Sequence, residues 1–206
     1  MMKRVMRNQG YAHCYWRKNC LLWGRSGSMK TVLNTALALL VWIAAQTCRA
    51  DANELTARQS ISINAPPAAV WAVVGDFNGQ PRWLPLVERS EIVVGSNNQT
   101  GAIRLVTRRN GTKVSERLLD YDPYGMRLAY TYVDGAVMAS DYFPVLTVKA
   151  SDHGTSVVEW SARFKRLDYW LDPPPDGQDD KSLIDRYNGL YRAGLENLKR
   201  VVEGVQ

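Results

Sequence analysis

The sequence predicts an α+β fold in which a curved, seven-stranded antiparallel sheet wraps around a long C-terminal helix. Three observations predict it. Short segments of alternating apolar and polar residues follow one another from Arg58 to Lys165. Turn signals stand between them: Gly95-Ser96-Asn97-Asn98, Asn110-Gly111, Asp122-Pro123-Tyr124-Gly125, Asp134-Gly135 and Asp152-His153-Gly154. Asn-Gly and Asp-Gly are hairpin signals because Gly and Asn tolerate the positive φ such turns need. After a stiff break at Asp172-Pro173-Pro174-Pro175-Asp176-Gly177, one helical stripe runs through Leu183, Tyr187, Leu190, Tyr191, Gly194, Leu198 and Val201.

Taken in order, residues 58–63 read as a strand, and Ala65-Pro66-Pro67 then introduces a short apolar helix over Ala68–Val74. Residues 77–86 (FNGQPRWLPL) are broken by Gly79, Pro81 and Pro85 and read as a turn or a single helical turn. Strands follow over residues 88–94, 102–108, 113–121, 126–133, 140–150 and 156–165. Asp179-Asp180 places acid at the start of a closing helix of about 25 residues. No internal repeat and no second linker interrupt this order, so residues 51–206 read as a single domain.

The first 50 residues are of another kind. Of the 26 Lys and Arg, eight lie in residues 1–50, which hold no Asp or Glu. The remainder carries 18 basic against 20 acidic residues, so the net charge of +6 belongs to the N-terminal segment. Nucleic-acid binding, which needs clustered cations against phosphate, is therefore not expected. Met29-Lys30 opens a short charged region, Ala36–Ala45 is an unbroken apolar run, and small residues follow at Ala45, Ala50 and Ala52. This is the three-part pattern of a secretory signal, read over residues 29–50 with cleavage after Ala50 or Ala52. The run is shorter than the ~20 residues that span a bilayer, so stable membrane insertion of the mature protein is not expected. The predicted location is the periplasm or the exterior. Residues 1–28 are read as an extension, with translation starting at Met29.

Cys14, Cys20 and Cys48 all precede residue 51, and His153 is the only histidine beyond it. No Cys- or His-based zinc site and no Ser-His-Asp triad is expected there. There is no Gly-rich phosphate loop. Neither a cofactor nor a metal is expected.

A large antiparallel sheet twists and curls, and one helix does not cover its concave face everywhere. The space left over is expected to form an apolar pocket for a small molecule. Alternation assigns its wall: Leu105 with Ile103, opposing Arg104; Val114, Glu116 and Leu118; Leu128, Tyr130 and Tyr132; Trp160 with Val158, Ala162 and Phe164. Glu116 is the anomaly on that wall. It is the candidate to orient a polar group of a ligand or to move a proton; a pairing with a neighbouring arginine is the alternative. Glu116→Gln is expected to weaken ligand binding without unfolding the protein.

From Ser60 to about Val202 the chain resembles the START/Bet v 1-like (SRPBCC) superfamily, in its polyketide cyclase/dehydrase and lipid transport branch. The resemblance is carried by Ile61-x-Ile63-x-Ala65-Pro66, Val70-Trp71, Trp83-Leu84-Pro85, Glu116-Arg117-Leu118-x-x-x-Asp122, Asp134-Gly135, Asp141-Tyr142 and Thr147-Val148. It implies the helix-grip fold and a central ligand cavity. Within the superfamily, Glu116-Arg117-Leu118 is similar to a pocket-facing triplet of plant hormone receptors, and Tyr130 and Tyr142 fall where those receptors place pocket aromatics. The loops 107–113 and 133–137 fall where theirs border the cavity mouth. The receptors' gate sequence is replaced here by Thr107-Arg108-Arg109-Asn110-Gly111, and hormone binding is not carried over. The expected ligand-binding residues are thus Glu116, Tyr130, Tyr142, Leu105, Val114, Leu118, Leu128, Trp160, Tyr187 and Tyr191.

Three functions stand side by side on the sequence. The first is an exported protein binding an apolar or amphipathic small molecule of lipid, polyketide-like or isoprenoid-like kind. The second is a cyclase- or dehydratase-type enzyme using Glu116 or a cavity tyrosine. The third is an accessory protein docking on a protein partner in the periplasm. Binding without catalysis is preferred.

Overall fold

The computed structural model describes residues 53–204. The signal segment therefore lies outside the described residues.

Seven strands form one antiparallel sheet: β1 (Leu55–Ile63), β2 (Val87–Val94), β3 (Ile103–Arg108), β4 (Lys113–Asp122), β5 (Arg127–Gly135), β6 (Ser140–Ala150) and β7 (Ser156–Lys165). Their order is β1-β7-β6-β5-β4-β3-β2. From β2 to β7 each strand pairs with the next through a short turn, while β1 joins the far edge through pairs such as Leu55↔Phe164 and Ile63↔Ser156. β1 begins before Arg58, where the alternation first becomes clear, because β7 supplies partners for Leu55, Thr56 and Ala57.

The chain crosses from β1 to β2 through helix α1 (Pro67–Val74) and a 3-10 turn at Phe77–Arg82. The closing helix α2 runs Asp180–Glu203. Its start is fixed by Asp179, whose carboxylate accepts from the Ser182 backbone N–H at 2.9 Å. Its end is fixed by Gly204 at φ 68°, a left-handed conformation that glycine adopts freely. Leu183, Tyr187, Tyr191, Gly194, Leu195 and Leu198 form its buried face. Leu195 joins the expected stripe, while Leu190 is only part-buried and Val201 is 42% exposed. At its far end Glu203 accepts from the Asn64 backbone N–H, and Lys199 donates to the Ser62 carbonyl. These bonds pin α2 over the end of β1.

The core lies between the sheet and α2, with Trp71, Val74 and Phe77 closing one end. The inward residues of β4, β5 and β7 are those the alternation assigns: Val114, Glu116 and Leu118; Leu128 and Tyr130; Val158, Trp160, Ala162 and Phe164. On β3 the phase is reversed. Arg104 and Val106 are buried, while Ile103 and Leu105 stand on the other face. Leu105 is therefore not part of the inner wall, and an arginine expected to face solvent is 2% exposed.

The β3–β4 turn explains the reversal. Had Asn110-Gly111 formed a two-residue turn, Arg104 would have faced Arg117. The backbone instead closes Arg108 to Thr112 at 2.8 Å, with Gly111 at φ 81°. That is a three-residue turn ending in a left-handed glycine. It sets Arg104 opposite Glu116.

Candidate ligand cavity

The space between sheet and helix is filled by aromatic side chains rather than left open. Tyr132 stacks on Tyr142 with ring centres 4.3 Å apart, and Tyr142 on Tyr187 at 5.0 Å. Trp160 stacks on Tyr191 at 4.3 Å and meets Trp83 edge-on at 5.4 Å. The roomy hollow expected from the curl of the sheet is absent from this conformation. Among the described residues, a cavity of about 30 Å³ and a smaller one of about 10 Å³ lie within this packing. Since a single water occupies about 10–15 Å³ on this measure, the larger holds about two waters and the smaller one at most.

Five of the expected residues line the larger cavity: Val114, Glu116, Tyr130, Tyr142 and Trp160. Leu128 lines the smaller one, beside Tyr130. Leu118, Tyr187 and Tyr191 are fully buried in the packed core, and neither cavity touches them. Trp83 is 2% exposed and packs against Trp160, so it is a core residue and not a cap over the mouth. His153 lies exposed in a turn with φ 58°.

Glu116 is ion-paired. Arg104 donates to its Oε2 from Nε at 2.8 Å and from Nη2 at 2.6 Å. Arg104 also donates from Nη1 to the Phe77 carbonyl, and its guanidinium lies over the Phe77 ring at 4.0 Å from the centre. The pair therefore ties the 3-10 turn to the sheet. Removing one partner would strand the other charge in the interior, so Glu116→Gln is expected to lower stability as well as to change the cavity. The expectation of an effect on binding alone is revised on this ground.

The tyrosine hydroxyls are arranged in pairs. Tyr142 and Tyr191 lie 2.8 Å apart at their oxygens, and Tyr132 and Tyr187 lie 3.3 Å apart. Burial pushes all four hydroxyls above the usual tyrosine pKa, with Tyr187 at about 12. Tyr130 is pushed up too, first by burial and then by the Glu116 carboxylate. At neutral pH these hydroxyls are hydrogen-bonding groups and not bases.

Sequence reasoning passed over Gln80, Arg104 and Val106, all of which line a cavity, and met Arg108 only as part of the loop expected at the mouth. A signal existed for Arg104: a carboxylate on an apolar wall calls for a cation, and the neighbouring strand offers one. Gln80 gave none, since its burial follows from the way the 3-10 turn tucks under the sheet. Arg108 donates to the Ala136 carbonyl at 2.9 Å and so links the two loops expected to border the mouth. The larger cavity reaches part-exposed residues at Leu86, Arg108 and Leu190.

A second concavity of about 320 Å³ lies beside the first turns of α2, lined by Val137, Met138, Leu167 and Leu183 together with Arg166, Asp168, Asp176 and Arg186. Next to it, residues 167–171 expose Leu167, Tyr169, Trp170 and Leu171, with Trp170 at 65%. Among the described residues, no cluster of His, Cys, Asp and Glu is arranged to hold a metal ion, and no helix is long and apolar enough to cross a membrane.

A curved antiparallel sheet closed by one long C-terminal helix over an apolar interior defines a helix-grip protein. The chain belongs to the polyketide cyclase/dehydrase and lipid transport family, whose model matches residues 54–203. Among solved structures it is similar to the protein XoxI from Bacillus cereus, at 25% identity and a TM-score of 0.63, over 72% of this chain and 96% of that one. It is also similar to a protein from Thermobifida fusca solved by NMR, at 28% identity and a TM-score of 0.59, over 73% of this chain and 95% of that one. A Nitrosospira multiformis protein shares the fold at 21% identity and a TM-score of 0.57, over 70% of this chain and 93% of that one. The family is that of a hydrophobic ligand-binding fold.

Proposed function

We propose that this chain is an exported binding protein that takes an apolar or amphipathic small molecule between its sheet and α2. The observation that carries the reading is the composition of the larger cavity. Leu84, Leu86, Val87, Val106, Val114 and Leu190 share its wall with Gln80, Arg108, Glu116, Trp160 and three tyrosines, Tyr130, Tyr132 and Tyr142. Such a wall holds a carbon skeleton by burial and orients it by hydrogen bonds. In the conformation described, the space admits only waters, so a ligand enters by parting α2 from the tyrosine stack. The 3.3 Å contact between Tyr132 and Tyr187 is the weaker of the two hydroxyl pairs and the place where that opening begins.

The test is native mass spectrometry of protein purified from its own cell envelope. The expected result is a mature chain beginning at Asp51 or Asn53 and carrying a bound small molecule. Bare protein in every preparation would overturn the binding function, and a chain retaining residues 29–50 would overturn export.

One observation favours a second reading, an accessory protein that docks on a periplasmic partner: the interior is filled by its own aromatics while residues 167–171 hold large apolar side chains in solvent. A stoichiometric partner in envelope extracts, lost on Trp170→Ala, would replace the first reading by this one. The enzymatic reading draws less support, because Arg104 already engages Glu116 and burial keeps the tyrosines protonated.

A further inference from the structure

Burial leaves polar atoms of the larger cavity without protein partners, and those atoms define the group that completes them. Trp160, 1% exposed, has an indole N–H with no hydrogen-bond acceptor among the described residues. Glu116 receives both Arg104 bonds on Oε2, which leaves Oε1 without a donor. The Tyr130 hydroxyl stands beside Trp160 and Tyr142. All three residues line the same cavity of about 30 Å³. Buried polar groups are almost always satisfied, so something with matching donors and acceptors belongs among them.

We propose that the inner end of the cavity is a hydroxyl-recognition site, so that the ligand buries an alcohol or phenol group against Trp160, Tyr130 and Glu116. The inference rests on the binding function above and names the chemical class of its ligand.

The match follows from the donor and acceptor inventory. An indole N–H only donates and a carboxylate only accepts. The guest must therefore accept from Trp160 and donate to Glu116 Oε1 through one small group. A hydroxyl does both on a single oxygen, as does the water that holds its place when no ligand is bound. A carboxylate has no proton for Glu116 and is repelled by it. An ammonium has no lone pair for the indole. An ether or ketone leaves Oε1 unsatisfied. The apolar side chains of Leu84, Val106 and Leu190 line the same cavity and would receive the carbon skeleton.

The test compares probes that share a ten-carbon chain: decan-1-ol, its methyl ether, decanoate and decylammonium. Each is titrated into the purified protein, and the Trp160 indole N–H resonance is followed by NMR. Decan-1-ol is expected to bind at least about tenfold more tightly than the other three and to move that resonance. Tyr130→Phe, which keeps the ring, is expected to shrink the preference while binding persists, as is Trp160→Phe if it folds. Equal binding of all four probes, or a preference for decanoate, would overturn the hydroxyl site and leave the binding function standing. Binding by none of them would overturn both.

Discussion

Arg104 lies directly opposite Glu116 in the β3–β4 ladder, and the two side chains, 2% and 8% exposed, form an ion pair inside the fold. Two charges have been taken out of water and compensate one another there. A matched pair of this kind adds little net stability over apolar residues of the same size, but either charge left alone is costly. Arg104→Met and Glu116→Gln are each expected to lower stability by about 3–5 kcal/mol. The double variant Arg104→Met/Glu116→Gln is expected to cost clearly less than the sum of the two single changes. Urea denaturation with an unchanged slope measures it; additive losses in the double variant would show that the two residues are not coupled.

Gly194 sets the distance between α2 and the sheet. A Cβ placed there would lie 2.8 Å from Leu84 Cδ1 and 3.1 Å from the Trp160 ring. Gly194→Val is expected to cost about 2–3 kcal/mol by overpacking. It should also lift α2 from Trp160, read as a red shift in tryptophan emission. An unshifted, equally stable variant would mean that the helix approaches less closely than described.

The Tyr142–Tyr191 hydroxyl contact satisfies two buried groups at once. Tyr142→Phe is expected to cost about 1–2 kcal/mol, because it leaves the Tyr191 hydroxyl without its partner. Tyr142→Phe/Tyr191→Phe is expected to cost clearly less than the sum of the single changes. A thermal-denaturation cycle with full additivity would dissolve the pair.

Alkaline pH should unfold the protein through its tyrosines. Unfolded tyrosine ionises near pH 10, whereas burial raises the hydroxyls of Tyr132, Tyr142 and Tyr191 well above that and Tyr187 to about 12. Between those values the folded state holds more protons than the unfolded one, so stability falls as pH rises. It is undiminished below about pH 10 and, for Tyr187, lost progressively up to about 12. Tyrosinate absorbance from the buried rings should therefore appear together with loss of the far-UV signal. Ionisation of these rings near pH 10 in a protein still folded would contradict the packing described.

The sequence by itself determined the order of the strands, their hairpin turns and the closing helix, because turn residues and side-chain period act locally. The inward faces of β4, β5 and β7 were equally legible, since apolar residues on every second position have only one way to leave water. The face of β3 was not. In Ile103-Arg104-Leu105-Val106-Thr107 both phases offer apolar residues, and Arg104 turns inward only because a three-residue turn brings it opposite Glu116. The volume of the interior was not legible either. Tyrosines at positions 130, 132, 142, 187 and 191 line a hollow or fill it according to how near α2 comes to the sheet. Gly194, one residue without a side chain, lets the helix come close. Such a distance is the sum of contacts among residues far apart in the chain, and no local pattern records it.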